Sequence, residues 1–335
     1  MSITIVVGGQ WGSEGKGKVA YWFAKSNKIP FVVRVGGSNS GHTVIDTKGN
    51  RYVFRILPTA SIEENVTCIL PAGTYIDLSI LEKEIAIAAL HEKRLKIHPN
   101  AMIITDEFIA KEVEGPLSDS IGSTNSGTGV AVMARVNRKD GIRFAKDEPA
   151  LSHYLCDTTD LLRAAIDNGQ EVLIEGTQGF GLSVLHSETY PYVTSRDTTA
   201  AGFLSETGLS PLDVINVIMV IRSYPIRVGG NSGPLPNEVT WEQITEQSGA
   251  KSELIEFTSV TNKVRRVAEF DLTVVKKAIQ ANKPNVIILN HCDYFDATSY
   301  DNEITYELEN YIQKIEAGIG KIDFVGLSEK SVIKR

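Results

Sequence analysis

The sequence predicts an α/β protein with a mostly parallel central sheet flanked by helices. Three observations carry that prediction. Short β-branched runs alternate with helical stretches. The first run stops at a glycine-rich loop that leads into a helix. The composition is that of an ordinary globular protein, 42% hydrophobic and 22% charged over 335 residues. That length suits one large domain or two ordinary ones. With no internal repeat and no low-complexity linker, residues 1–335 read as a single elaborated domain.

The elements follow in order. "ITIVV" (3–7) has the form of a buried strand, short, β-branched and stopped by glycine. A helical stretch that includes Tyr21 to Ala24 follows, and "FVVRVGG" (31–37) repeats the strand pattern. "DLSILEKEIAIAALHEKRL" (77–95) has helical spacing with Asp77 as N-cap. "EVLIEG" (171–176), "VINVIMVI" (214–221) and "NVIILN" (285–290) are further strands. The helical patterns "DLLRAAIDNG" (160–169) and "LTVVKKAIQANKP" (272–284) precede or separate them. The polar, glycine-rich segments 120–130 and 229–237 are the expected mobile loops.

Lys plus Arg total 34 against 41 Asp plus Glu, a net charge of −7. A nucleic-acid polymer as partner is therefore not expected, because its binders carry a basic excess. A mononucleotide needs only a local cluster of cations. Cys68, Cys156 and Cys292 lie far apart and suggest neither a disulfide framework nor a zinc site, which fits a reducing cytoplasm. "MSITIVVGG" is too short an apolar run for a signal peptide, and no stretch approaches 18 apolar residues, so no membrane association is expected.

The chemistry-bearing stretch is "GGQWGSEGKGK", Gly8 to Lys18. It departs twice from the Walker A pattern G-x-x-x-x-G-K-[ST]: Gln10 stands five residues before Gly15, and Gly17 follows the lysine. The physical ingredients remain: a strand, glycines that can expose backbone N–H groups, two lysines, then a helix N-terminus. The fold is accordingly P-loop-like, with functional loops inserted. A glycine-rich turn with solvated lysines is the bland alternative.

"QWGSEGKGK" resembles the "QWGDEGKGK" signature of the adenylosuccinate synthetase family, and the resemblance continues along most of the chain. "GGSNSGHTV" (36–44) is similar to the family's "GGNNAGHTV". "IEGTQGFGLSVLHSETYPYVTSRDTT" (174–199) looks like "EGAQG…GTYPYVTSSNTT", closest to the short archaeal form. "YPIRVGGNSGPLPNE" (224–238) resembles "TRVGAGPFPTE" with one extra residue, and "VTNKVRRVAEFD" (260–271) is a degraded "TTGRRRRTGWFD".

The resemblance implies a ligase that first phosphorylates the six-oxygen of a purine monophosphate, using a nucleoside triphosphate and magnesium. Aspartate then displaces that phosphate through its amino group. By position, Gly12, Gly15, Lys16, Gly17 and Lys18 would cradle phosphates. Gly41 would offer a carbonyl to magnesium, with Ser13 the other position beside the metal. His42 would act on the transferring phosphoryl group, with Thr43 beside it. Ser13, Asn39, Thr124, Gln178 and Thr194 align with contacts to the purine monophosphate. With His42, Ser13 and Gln178 form the expected reacting centre. Arg138 aligns with an arginine that reaches the neighbouring subunit's monophosphate, which implies a homodimer with shared sites; a solvated surface arginine is the alternative. Val260, Thr261, Lys263 and Arg265 fall where the aspartate carboxylates are received, and Lys263 replaces an arginine. Arg265, Asn290 and Asp293 align with further contacts to the triphosphate.

Three departures matter. Ser13 replaces the family aspartate that takes the N1 proton, and a hydroxyl is not that base near pH 7. "NHCDYFD" (290–296) stands for "TKLD", so Asp293 is kept while His291 replaces the lysine at the guanine of GTP. "VGLSEKSVIKR" lacks the family's Gly-Pro pair near that guanine. The combination resembles the phage branch of the superfamily, the 2-aminoadenylosuccinate synthetases. That branch joins aspartate to dGMP with ATP or dATP on the way to 2,6-diaminopurine DNA. Serine leaves room for a guanine 2-amino group beside N1. Two other readings stay open: an ordinary synthetase acting on IMP with a relocated base, and an inactive nucleotide-binding paralogue. Candidates for the N1 proton are Glu14, a metal-bound water or a phosphate oxygen.

Overall fold

The structure is a computed structural model that describes residues 2–115, 121–258, 263–301 and 303–335. Its centre is a nine-stranded sheet. From one edge to the other the strands are Ile333–Lys334, Phe324–Val325, Val286–Asn290, Val214–Arg222, Ile3–Gly8, Val172–Glu175, Phe31–Arg34, Thr67–Leu70 and Leu95–Ile97. Eight run parallel and only the edge strand Ile333–Lys334 is antiparallel to its neighbour. The expected α/β fold is therefore present.

Both faces of the sheet are covered, which explains the continuous apolar runs. Ile3, Ile5 and Val7 pack into one buried cluster with Phe203, Val275 and Ile312. Val6 faces the other way, into a cluster with Val19, Ala20, Phe54 and Leu57. Met219 and Ile221 against Ile218 and Val220 repeat the alternation in the next strand.

Most elements form where the sequence places them. The helix after the glycine loop spans Lys16–Ser26, and the later helices are Thr158–Asp167 and Leu272–Asn282. Asp77 caps its helix as expected, accepting from Ile80 N. That helix is shorter than its periodicity suggests, Leu78–Ile87 rather than 77–95. Ala89 takes a left-handed backbone (φ 45°), and Leu95–Ile97 instead pairs as a strand with Cys68–Leu70. Tertiary pairing outweighs local propensity there. The expected loop 120–130 ends early, because a helix starts at Thr128. All three cysteines are free thiols. Among the described residues no helix is long and apolar enough to cross a membrane.

What the topology does for function is set by direction. Because the central strands are parallel, their last residues lie along one edge: Gly8, Arg34, Glu175, Arg222 and Asn290. Register puts Arg34 beside Glu175 and Arg222 beside Asn290. The crevice outside the carboxyl ends of such strands is where α/β sheets bind ligands.

Candidate active site

The glycine loop closes over this edge. Gly12, Ser13 and Gly15 all have positive φ (91°, 57° and 87°), which turns the chain sharply before the helix. Only glycine suits position 15, since its φ is left-handed and a Cβ would lie 2.7 Å from Asn290 Nδ2. Gly15 is the N-cap of the Lys16–Ser26 helix and brings no capping side chain, so the first amides of the helix are left for a ligand.

Glu14 organises the loop from inside. It is fully buried, and its carboxylate accepts from Gln10 N (3.1 Å), Gly12 N (2.9 Å) and Lys16 Nζ (2.6 Å). This geometry removes Glu14 as a candidate for the purine N1 proton, since it holds the loop's own amides and ammonium. Ser13, by contrast, is exposed. Lys16 is tied to Glu14. Lys18 Nζ donates to the carbonyls of Ser328 (2.8 Å) and Ser331 (3.1 Å), and burial lowers its pKa from 10.5 to about 8.

His42 begins the hairpin strand His42–Ile45 and packs directly on the loop: a Cβ on Gly17 would lie 2.8 Å from His42 Cβ. The ring's Nδ1–H donates to Glu175 Oε1 at 2.6 Å. Arg34 Nη1 donates to the same oxygen at 3.1 Å and lies 2.5 Å from His42 Nδ1 and 3.2 Å from Nε2. Thr59 closes the set through its N and Oγ1, both 2.8 Å from Glu175 Oε2. Burial, then the Arg34 charge, brings the His42 pKa down from 6.5 to about 3, so the ring is neutral. Burial would raise the Glu175 carboxyl, but His42 and Arg34 hold it below its ordinary value. Glu175, Arg34 and Thr59 escaped the sequence reading. The available signal was a charged residue ending each of two apolar strands, "FVVR" and "VLIE".

The expected acceptor residues come from several loops that converge on this edge. Gln178 has φ 61°, and its Oε1 lies 3.8 Å from where a Gly12 Cβ would be. Asn39 and Gly41 are half-buried on the segment before His42, as is Thr43 beyond it. Thr124 is half-buried ahead of Thr128, whose methyl would meet a Cβ on Gly37 at 2.7 Å. Thr194 N donates to Leu182 O at 2.8 Å. Arg227 clamps the neighbouring turns, donating to Tyr192 O (2.8 Å) and Pro234 O (3.0 Å). Arg138 is exposed just past the Thr128–Val136 helix and makes no hydrogen bond to the site among the described residues.

On the far side of the loop, Arg222 Nη1 donates to Ser13 O (3.0 Å) and Nη2 to Glu256 Oε1 (2.5 Å). Burial would raise the Glu256 carboxyl, but Arg222 and His291 hold it at about 2. Arg265 Nε lies 3.7 Å from Glu256 Oε2, and Lys263 is exposed. Val260 and Thr261 lie outside the described residues. Asn290 Nδ2 donates to Glu14 O at 2.8 Å. Three buried atoms here find no hydrogen-bond partner among the described residues: Asn290 Oδ1, His291 Nε2 and Asp293 Oδ1. Buried polar atoms are rarely left so, and a cluster of them suits a polar ligand. Burial raises the Asp293 carboxyl from 3.8 to about 6. Gly326 and Ser328, from the C-terminal segment, wall this side against Asn290 and Lys18.

The chain is similar to known proteins in sequence and in fold. The sequence pattern of the adenylosuccinate synthetase family matches residues 5–148 and 143–315. The chain is 39% identical over 333 residues to the adenylosuccinate synthetase of Methanococcus aeolicus, covering 96% of this chain and 94% of that one. It is 36% identical over 328 residues to that of Methanosphaera stadtmanae, covering 96% and 93%. Among solved structures, the cyanophage S-2L succinoaminodeoxyadenylate synthetase PurZ, bound to dGMP and dATP as an energy donor, superposes with a TM-score of 0.84. That pair is 27% identical and covers 99% of this chain and 95% of the other. The fully ligated adenylosuccinate synthetase of Plasmodium falciparum shares the fold, with a TM-score of 0.86 at 20% identity over 100% of both chains. The chain belongs to the adenylosuccinate synthetase family, carbon–nitrogen ligases that use a nucleoside triphosphate.

Proposed function

We propose that this ligase joins L-aspartate to dGMP at the expense of ATP or dATP, giving 2-amino-2'-deoxy-N6-succinyladenylate for 2,6-diaminopurine DNA. The observation that carries the reading is the apex of the glycine loop. Ser13 is the exposed side chain there, and the adjacent carboxylate, Glu14, is turned inward onto amides and Lys16. A purine edge at this loop meets a small hydroxyl, which leaves room for a 2-amino group. The likeness to PurZ with dGMP and dATP supports the same acceptor and donor.

The reaction has two transfers. The acceptor's O6 bonds to the γ-phosphorus as the nucleoside diphosphate leaves, and the N1 proton passes to a phosphate oxygen. The aspartate amine then bonds to C6, phosphate leaves with its electron pair, and the departing phosphate takes the amine's proton. The open helix N-terminus at Gly15 and the Arg34–His42 pair supply N–H groups and positive charge to the γ-phosphoryl. An arriving phosphate offsets the charge that Arg34 imposes on His42 and favours protonation at Nε2. Glu175 fixes the ring by holding Nδ1. Arg265 and Lys263 are the cations for the dicarboxylate, with Val260 and Thr261 between described segments.

Among the described residues no cluster of three carboxylate, histidine or cysteine groups could hold a metal. The Ser13 hydroxyl and Gly41 carbonyl are hard but neutral oxygen donors. They fit magnesium that arrives with the triphosphate, whose phosphates supply the charge. The ion would neutralise charge building up on the transferred phosphoryl group.

The unpartnered acceptors Asn290 Oδ1 and Asp293 Oδ1 suit a base edge that donates. Adenine presents an amino group at carbon six where guanine presents a carbonyl. His291 stands where the family's lysine meets guanine, and Lys18 is occupied by two carbonyls. The nucleotide is thus read as adenine-based. The enzyme is further proposed to work as one domain, in a cytoplasm, as a homodimer to which the exposed Arg138 contributes.

A second reading has its own support: relatives at 36–39% identity are named adenylosuccinate synthetases, which favours IMP as acceptor. One assay separates the two. Purified protein with aspartate and magnesium is offered dGMP, GMP or IMP, and the succinyl adduct is followed by mass. ATP, dATP and GTP are compared at equal concentration. A kcat/KM higher for IMP than for dGMP overturns the acceptor, and a preference for GTP overturns the base.

A further inference from the structure

The Arg222 guanidinium stands between the acceptor side of the site and the dicarboxylate side. Arg222 is fully buried at the end of the Val214–Arg222 strand. Its backbone is fixed from both directions by Gln10: Arg222 N donates to Gln10 Oε1 (2.9 Å), and Gln10 Nε2 donates to Arg222 O (3.2 Å). The Tyr294 ring lies 5.7 Å from the guanidinium carbon. From this anchored position the two terminal nitrogens reach both the Glu256 carboxylate and the Ser13 turn. Nη2 donates to Glu256 Oε1 (2.5 Å), while Nη1 is shared between the carbonyl of Ser13 (3.0 Å), whose backbone is left-handed, and Glu256 Oε2 (3.5 Å). Glu256 Oε2 thus sits between Arg222 Nη1 at 3.5 Å and Arg265 Nε at 3.7 Å, and Arg265 N donates to Glu256 O at 2.9 Å. A salt bridge that served stability alone would need only the carboxylate. The second arm ends on a backbone carbonyl of the acceptor-reading turn.

We propose that Arg222 and Glu256 are a positioning pair that couples dicarboxylate binding at Arg265 to the geometry of the Ser13 turn. This rests on the function proposed above and adds an order to it. A dicarboxylate arriving at Arg265 competes with Glu256 for that cation. Glu256 Oε2, released from Arg265, then tightens its long contact with Arg222 Nη1, and the fork that also carries the Ser13 carbonyl is set in one orientation. The rigid planar fork matters, because a single ammonium has no fixed angle between its two partners. Such coupling is reciprocal: the nucleotide must tighten the dicarboxylate by the same factor. Neither residue touches a reacting atom.

The test is a binding cycle with succinate, which has two carboxylates and no amine, so nothing reacts. Calorimetry measures dGMP affinity with and without saturating succinate, and succinate affinity with and without dGMP. The wild-type protein should show the same gain in both directions, roughly 5-fold or more. In Arg222→Lys and in Glu256→Gln the factor should fall to about 1, whatever happens to the separate affinities. Melting curves verify that the variants are folded; Glu256→Asp, which keeps the charge and withdraws it by one methylene, serves where the others are not. Folded variants that keep the full factor overturn the coupling. So does a wild-type protein that binds both ligands independently. A wild-type protein that binds no dGMP overturns the acceptor assignment, and the coupling with it.

Discussion

Gly17→Ala tests whether the glycine loop positions His42. The added Cβ would sit 2.8 Å from both His42 Cβ and Thr59 Cγ2 and 3.1 Å from Thr43 O. Carbon atoms settle at about 3.5 Å or more, so the neighbours must yield by about 0.7 Å. Both neighbours belong to one network: Thr59 holds Glu175 through its N and Oγ1, and Glu175 holds His42 Nδ1. Overpacking of this kind costs about 1–3 kcal/mol, offset by about 1 kcal/mol of helix propensity gained over glycine. The net loss corresponds to a fall in Tm of no more than about 4 °C for a chain this long. Turnover should suffer far more, since misplacing a reacting group by about 1 Å costs on the order of 100-fold. The assay pairs a thermal melt with kcat at saturating aspartate, dGMP and ATP, and with dGMP affinity by calorimetry. The expected result is a small shift in Tm, nearly unchanged dGMP affinity and kcat down about 100-fold. A folded Gly17→Ala protein with kcat within about threefold of wild type would refute the argument that this contact sets the histidine.

Other perturbations probe separate parts of the site. His42→Ala should lower kcat by about 100-fold or more while dGMP still binds; lost dGMP affinity with kcat unchanged at saturation would reassign it. Ser13→Ala should lose about tenfold, the scale of one modest hydrogen bond, and Ser13→Asp should move the kcat/KM ratio from dGMP toward IMP. An unchanged ratio in Ser13→Asp would mean that the turn does not read the acceptor. Asp293 has an ordinary value of 3.8 and is raised to about 6 when folded, so the folded chain holds a proton that the unfolded chain lacks between those values. Its contribution to stability is full below about 3.8 and is lost as pH rises through about 6; Asp293→Asn should flatten that slope in pH-dependent melts. The same protonation turns an acceptor into a donor, so KM for ATP should rise as pH falls below about 6, and a flat profile would separate Asp293 from the base.

Much of this was legible in the sequence because the strands are buried on both faces. "ITIVV" and "NVIILN" can be little else than central strands, and the glycine loop lies between a strand and a helix as read. Helix length was less legible. "KRLKI" carries Leu95 and Ile97 at a spacing that serves a strand, while the preceding run keeps helical period, and only pairing with Cys68–Leu70 decides between them. In the site, motif residues such as His42 and Gln178 were visible. The residues that fix them were not, because a buried ion pair joins positions far apart in the chain and leaves no spacing to recognise. Arg34 and Glu175 look like strand-end charges until register puts them side by side. Glu14 shows the opposite case. Its place beside Ser13 suggested a base, and only the fold reveals that it faces inward.

The placing of Val172–Glu175 between Ile3–Gly8 and Phe31–Arg34 bears on how the protein acquires activity as it folds. His42 and the carboxylate that orients it are separated by 133 positions, and Arg34 and that carboxylate by 141. Ring closures of that size make for slow, non-local folding, and no early N-terminal intermediate can contain the finished network. A chain caught after the glycine loop and its helix have formed would still leave His42 without its anchor. Recovery of turnover on refolding should therefore track closure of the whole sheet, trailing the appearance of helix.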